Sequence, residues 1–147
     1  MSALQTSIES VSPELLQAYA TSTMDRGIQG ESAIKWAFGG DKKCFANARE
    51  NGEIVGISSY IENRFTFGSE SGPAFQAVDS FVSESARGRG VFTKLARTFD
   101  DYVSSTHGSL VWGFPNDNAA PIWFNKLEWY RHGQVPFLIK PLRAGYF

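Results

Sequence analysis

A mixed α/β fold is the class this sequence predicts. Three observations point to it: an amphipathic helical stretch after Ser12-Pro13, a run of alternating strand-like segments between residues 44 and 83, and a strand–loop–helix unit spanning residues 78–103. The chain has 147 residues, the length of one domain, so a single domain over 1–147 is expected.

Residues 4–11 read as a first strand. Ser12-Pro13-Glu14 is a helix start: a hydroxyl cap, a proline in the first helical position and an acid in the first turn. Leu15, Leu16, Tyr19 and Ala20 supply that helix with an apolar stripe. A short second helix is expected over residues 31–38, ended by Gly39-Gly40. Residues 44–49 and 54–60 flank Asn51-Gly52, the strongest short hairpin signal, and the second of these strands can run on to Phe67. Gly68 to Pro73 reads as a turn, and residues 74–83 as the third strand of the meander. Val91, Phe92, Leu95, Phe99, Tyr102 and Val103 follow helical spacing, with a stop near His107-Gly108. Residues 110–114 are a short apolar strand. Pro115 to Asn118 caps a further helix through Ile122, Phe124 and Leu127, and residues 130–142 read as one or two closing strands.

Composition narrows the function. Hydrophobic residues make up 42% and charged residues 20%, which excludes a disordered tail, and no apolar run approaches the ~18–20 residues of a membrane helix. The first residues lack the basic-then-apolar pattern of a signal peptide. Cys44 is the single cysteine, so neither an intramolecular disulfide nor a multi-cysteine metal site is available, and a reducing, cytoplasmic setting is expected. His107 and His132 lack metal-ligand spacing, and no metal site is expected. A net charge of −1 argues against a dedicated nucleic-acid binder. The aromatic fraction of 14% exceeds what one domain easily buries, which points to a pocket, groove or subunit contact beside a Phe-rich core.

The stretch from Val78 to Leu95 carries the chemistry. A strand ends, Arg87-Gly88-Arg89-Gly90 follows, and a helix starts at once. A helix N-terminus presents unpaired backbone N–H groups and a partial positive charge, and glycines let a phosphate come close to the backbone. The unit is an anion cradle suited to a pyrophosphate. It is not a P-loop, because Gly-Lys-Ser/Thr is missing. Nor is it a dinucleotide fingerprint, because Thr93 stands where the third glycine belongs. Two arginines within a folded unit make a poor RNA-binding patch.

Arg87-x-x-Gly90 ahead of an amphipathic helix resembles the coenzyme A loop of the GNAT superfamily of N-acyltransferases, whose pattern is Gln/Arg-x-x-Gly-x-Gly/Ala. Phe92 departs from that pattern, and Glu84 replaces a frequent proline. Residues 116–129 are similar to a second family segment, a helix opened by Asn-x-x-Ala and closed by Tyr-x-x-x-Gly-Phe. Ala120, Leu127 and Trp129 match in kind, Asp117 sits between the asparagines, and Glu128 replaces the glycine. The detailed resemblance covers residues 78–130, and the order of elements extends it over most of the rest. The wording around the loop and Gly113 to Asn118 also looks like a bacterial subgroup associated with amino-sugar or polysaccharide genes.

The resemblance implies a mixed, mostly antiparallel central sheet with a splayed parallel strand pair, flanked by helices. It implies acetyl-CoA as co-substrate, a small-molecule primary amine as acceptor, direct attack in a ternary complex, and a homodimer as the family-level expectation. Carried over, Phe81, Val82 and Ser83 contact pantetheine, and a backbone N–H near Val82 polarises the thioester. Arg87, Gly88, Arg89, Gly90, Val91 and Phe92 hold the pyrophosphate, Thr93 adds a hydroxyl, and Lys94 and Arg97 are placed for a further phosphate. Asn116 or Asn118 caps the next helix near the cofactor arm. The family's tyrosine acid column holds Phe124, which cannot donate a proton; Tyr130 is the substitute candidate. The base column holds Gln76. Asp79, three residues on and on the opposite face by strand alternation, is the candidate base, with Glu62 and His132 less supported. These two departures leave a non-catalytic CoA-binding module on the same fold as the alternative. Trp36, Phe38, Tyr60, Phe65 and Phe67 are candidates to line the acceptor pocket.

Overall fold

Two turns of two residues each build the middle of the sheet. At the first, Asn51 (φ 54°) and Gly52 (φ 86°) are both left-handed, as a type I′ turn requires, and Glu50 pairs directly with Glu53. At the second, Gly68 (φ 60°) opens a tight loop that pairs Phe67 with Glu70. The expected turn over Gly68 to Pro73 is therefore shorter than its composition suggests. Pro73 lies within the strand opposite Arg64, in a part with no neighbour on its other edge among the described residues, where a missing N–H costs little.

The structure, a computed structural model, describes residues 3–24, 43–106 and 110–134. In order these form β1 (Gln5–Ser10), α1 (Pro13–Met24), β2 (Lys43–Glu50), β3 (Glu53–Phe67) and β4 (Glu70–Val82). A single 3-10 turn (Glu84–Ala86), α2 (Val91–Ser105), β5 (Leu110–Gly113) and α3 (Ala120–Asn125) follow. The expected helix over 31–38, with Trp36 and Phe38, and residues 135–142 of the expected closing strands lie outside the described residues. Residues 130–134 are described and are not a strand. The five strands lie in sequence order, β1 to β4 antiparallel and β5 parallel to β4.

The sheet buries both faces. On one, α2 sets Val91, Leu95, Phe99 and Val103 against Ala46, Ala48, Tyr60 and Phe75. The small alanines of β2 leave room for the large rings. Phe99 stacks on Tyr60 with ring centroids 3.3 Å apart and meets Phe75 edge-on at 5.4 Å. Tyr60 is 1% exposed, so it belongs to this core and does not line an acceptor pocket. On the other face, Leu15 and Tyr19 of α1 cover Phe45 and Ile57. Ser12 caps α1 as its sequence predicts, its Oγ accepting the Leu15 N–H at 3.2 Å. Arg49, near the end of β2, ties the start of α1 down with paired hydrogen bonds to Glu14 at 2.6 and 3.0 Å.

Candidate active site

The site starts where two parallel strands part. β5 pairs with β4 only from Ala74–Leu110 to Ala77–Gly113, while β4 runs on to Val82. Gly113 closes the last pair: a Cβ there would lie 3.0 Å from the Ala77 carbonyl oxygen. Beyond it, one edge of β4 is open along residues 78–82 among the described residues. The Ser83 N–H donates to the Val55 carbonyl on β3 at 2.9 Å. By alternation Phe81 also faces β3, and Val82 turns its backbone groups to the open edge.

A β-bulge lies at the same point. Ser58 pairs with Ser80 and Tyr60 with Ala77, so Val78 and Asp79 together oppose Ser59. The extra residue resets the side-chain alternation. Phe75 and Ala77 pack in the α2 core, which places Gln76 on the α1 face, and Asp79 meets Tyr19 on that same face. This corrects the simple alternation of the sequence reading, in which Gln76 and Asp79 fall on opposite faces. Asp79 Oδ2 accepts the Tyr19 hydroxyl at 2.5 Å, and Oδ1 accepts the Ser80 N–H at 3.0 Å. Beside them Ser59 Oγ is buried without a hydrogen-bond partner among the described residues.

Below the open edge, Arg87 to Gly90 turns the chain into α2. Ala86 is fully buried and anchors the loop. Gly88 and Gly90 both have φ 75°, and a Cβ on either would meet nothing within 4 Å. The loop thus borders open space on both glycines, in a conformation that L residues rarely adopt. Gly90 caps α2, and the Lys94 N–H is bonded back to its carbonyl at 3.0 Å, so the N–H groups of Val91, Phe92 and Thr93 precede the first intrahelical bond. Val91 fixes the helix start against Gly56, where a Cβ would come within 2.9 Å of the valine methyl.

The cations of the cradle are tethered. Arg89 forms a two-pronged pair with Glu50 at 2.7 and 3.0 Å, and its hydrogen bonding holds the Glu50 carboxyl below the usual carboxylate range. Arg87 donates from Nε to the Val82 carbonyl at 3.1 Å. Lys94 donates from Nζ to the Leu4 carbonyl at 2.7 Å. The anion-binding elements of the cradle are therefore the backbone N–H groups of Val91, Phe92 and Thr93, ahead of the first intrahelical bond.

Asn116 accepts the Ala119 N–H on its side-chain oxygen at 2.9 Å and leads into α3, while Asn118 is exposed. The helix ends at Asn125, short of Leu127, and Glu128 then adopts φ 57° in the column where the family has glycine. Phe92 packs edge-on against Trp123 at 5.3 Å, joining the starts of α2 and α3. Phe124 carries the Arg131 guanidinium 4.6 Å above its ring and lines a shallow depression with Asp117, Trp129 and Arg131. Tyr130 is 87% exposed and is not brought to the β4 edge by any described contact. Phe65 and Phe67 are exposed near the far turn of the β3–β4 hairpin. Sequence reasoning missed the Tyr19–Asp79 and Glu50–Arg89 contacts. A tyrosine on a buried stripe was the available signal for the first, since a buried hydroxyl needs a partner.

The sequence profile of the Acetyltransferase (GNAT) domain matches residues 16–129. The chain belongs to the GNAT acetyltransferase family. By sequence, no curated protein matches at significance. Solved structures of similar fold include an aminoglycoside acetyltransferase from an uncultured soil metagenomic sample, 12% identical, with a TM-score of 0.72 over 95% of this chain and 97% of that one. Another is AAC(6')-Iy in complex with the bisubstrate analogue CoA-S-monomethyl-acetylneamine, 16% identical, with a TM-score of 0.71 over 93% and 99%. A third is a protein described as a transcriptional regulator from Bacillus halodurans C-125, 12% identical, with a TM-score of 0.72 over 92% and 99%. The mixed sheet with its parting parallel pair is the GNAT fold that the resemblance implied. Among the described residues no helix is long and apolar enough to cross a membrane.

Proposed function

We propose that this GNAT domain is an N-acetyltransferase that moves the acetyl group of acetyl-CoA to a primary amine of a small molecule, by direct attack in a ternary complex. The observation that carries the reading is the continuity of the open β4 edge with the glycine cradle. Pantetheine can add along residues 81–83 as a strand would, and its pyrophosphate then meets the N–H groups at the start of α2. The cradle fits the group: Gly88 and Gly90 border space that side chains would fill. Support for a small amine comes from fold neighbours that are aminoglycoside acetyltransferases.

Acetyl-CoA supplies the thioester. In this reading the Val82 N–H, at the open edge, hydrogen-bonds its carbonyl oxygen and stabilises charge developing there. The neutral amine nitrogen attacks the carbonyl carbon, the C–S bond breaks, and the sulfur leaves with its electron pair. Asp79 takes the surplus proton from the nitrogen, directly or through one water. Phe124 has no proton to give, so the thiolate leaves without an acid from that column, and Tyr130 is the remaining candidate. Isothermal titration with acetyl-CoA tests the reading, followed by thiol release across a panel of primary amines. No heat of binding at millimolar ligand overturns it. A second reading, a CoA-binding module without catalysis, draws on Phe124 and Gln76 in the acid and base columns; binding without turnover across the panel selects it.

A further inference from the structure

We propose that Tyr19 is a positioning residue for Asp79, through which α1 sets the orientation of the catalytic carboxylate. The proposal rests on the acetyltransferase reading above. Asp79 sits on the bulge, two residues past the last β4–β5 pair, on the face that α1 covers and beside the open edge along which the reading above lays the thioester. A carboxylate on an irregular strand residue has rotational freedom unless it is held. Here both oxygens are held: Oδ1 by the Ser80 N–H at 3.0 Å and Oδ2 by the Tyr19 hydroxyl at 2.5 Å. Ionised carboxylates offer about four lone-pair sites, and these two donors fix the orientation of the group.

Tyr19 cannot act on a substrate itself. It is 2% exposed, with its ring packed in the cluster of Leu15, Phe45 and Ile57. Its hydroxyl donates to Asp79 Oδ2 and acts on the reacting region through that carboxylate. The helix carrying it is fixed at its start by the Arg49–Glu14 pair and by the Ser12 cap, so the hydroxyl is presented from a rigid element. Ordering the carboxylate in advance removes a reorganisation step from the barrier.

The test is a double-mutant cycle of Tyr19→Phe and Asp79→Asn, with the fastest-reacting amine of the panel and acetyl-CoA affinity read in parallel. Tyr19→Phe removes one oxygen and keeps the ring. The expected result is a loss of roughly tenfold in kcat with acetyl-CoA affinity unchanged. The double variant is expected to be no slower than Asp79→Asn alone, because a residue acting through Asp79 has nothing left to position. Should the phenylalanine variant not fold, 3-fluorotyrosine at position 19 is the replacement, and kcat altered at unchanged affinity is the expected result. Wild-type turnover with an unaltered kcat in either Tyr19 variant overturns this proposal alone. So does a double variant slower than Asp79→Asn by the factor that Tyr19→Phe shows by itself. Wild-type protein that binds acetyl-CoA yet acetylates no amine overturns the acetyltransferase reading and this proposal together.

Discussion

Replacing Gly90 by aspartate should separate the cradle's role in binding from its role in folding. The residue has φ 75° and ψ 13°, and a Cβ would meet nothing within 4 Å, so the cost to the fold is conformational and not steric. Any L residue there loses about 1–2 kcal/mol. For a chain of this length that lowers Tm by roughly 2–8 °C, and Gly90→Ala should show the same loss. Aspartate adds a negative charge where the pyrophosphate is expected. At roughly 5 Å and an effective dielectric of about 20, each unit charge is repelled by about 3 kcal/mol. The Kd for acetyl-CoA should therefore rise roughly a hundredfold beyond that of Gly90→Ala, measured by isothermal titration of both folded variants. An aspartate variant that binds within about threefold of the alanine variant would refute the placement of the pyrophosphate at this helix start.

Three further outcomes test the packing and electrostatics. Glu128→Gly relieves a left-handed glutamate at φ 57° and should stabilise the fold by about 0.5–1 kcal/mol in urea unfolding, after the extra freedom glycine gains in the unfolded chain. Phe99→Ala removes the ring shared by Tyr60 and Phe75 and should cost about 3–5 kcal/mol. Burial, with Asp101 adjacent, raises the Asp100 carboxyl above its ordinary 3.8, so the folded state binds that proton more tightly than the unfolded state. This group's contribution therefore falls as pH climbs from about 3.8 through the folded value. Asp100→Asn should be more stable than wild type at neutral pH, with the difference shrinking towards pH 4 in paired urea titrations.

Local signals were readable where one residue type has one physical reason to be there. Asn51-Gly52 marked a type I′ turn, Ser12 a cap, and Arg87 to Gly90 ahead of an apolar stripe the start of α2, and each occurs as its chemistry requires. Features created by alignment between distant segments were not readable. Residues 74–82 carry no clean period of two, and their composition does not say that β4 has one residue more than β3 across from Ser59. Glu50 and Arg89 are 39 positions apart, and only the fold makes them neighbours. The early end of α3 is likewise invisible in its apolar spacing. There the Leu127 N–H turns back to the Ile122 carbonyl, and Trp129 N–H bonds the Trp123 carbonyl across the left-handed Glu128.

The bulge in β4 also acts as a ratchet on assembly. A regular hairpin can slip along its partner by two residues and keep each side chain on its own face. In β4 the two halves are out of phase by one residue, so pairing without the bulge turns one of them over. Any shift that satisfied Phe81 against α1 would drag Phe75 off Phe99, and any shift that kept Phe75 would misplace the carboxylate that Tyr19 holds. The irregularity beside the open edge thereby leaves the hairpin a single alignment in which both cores close.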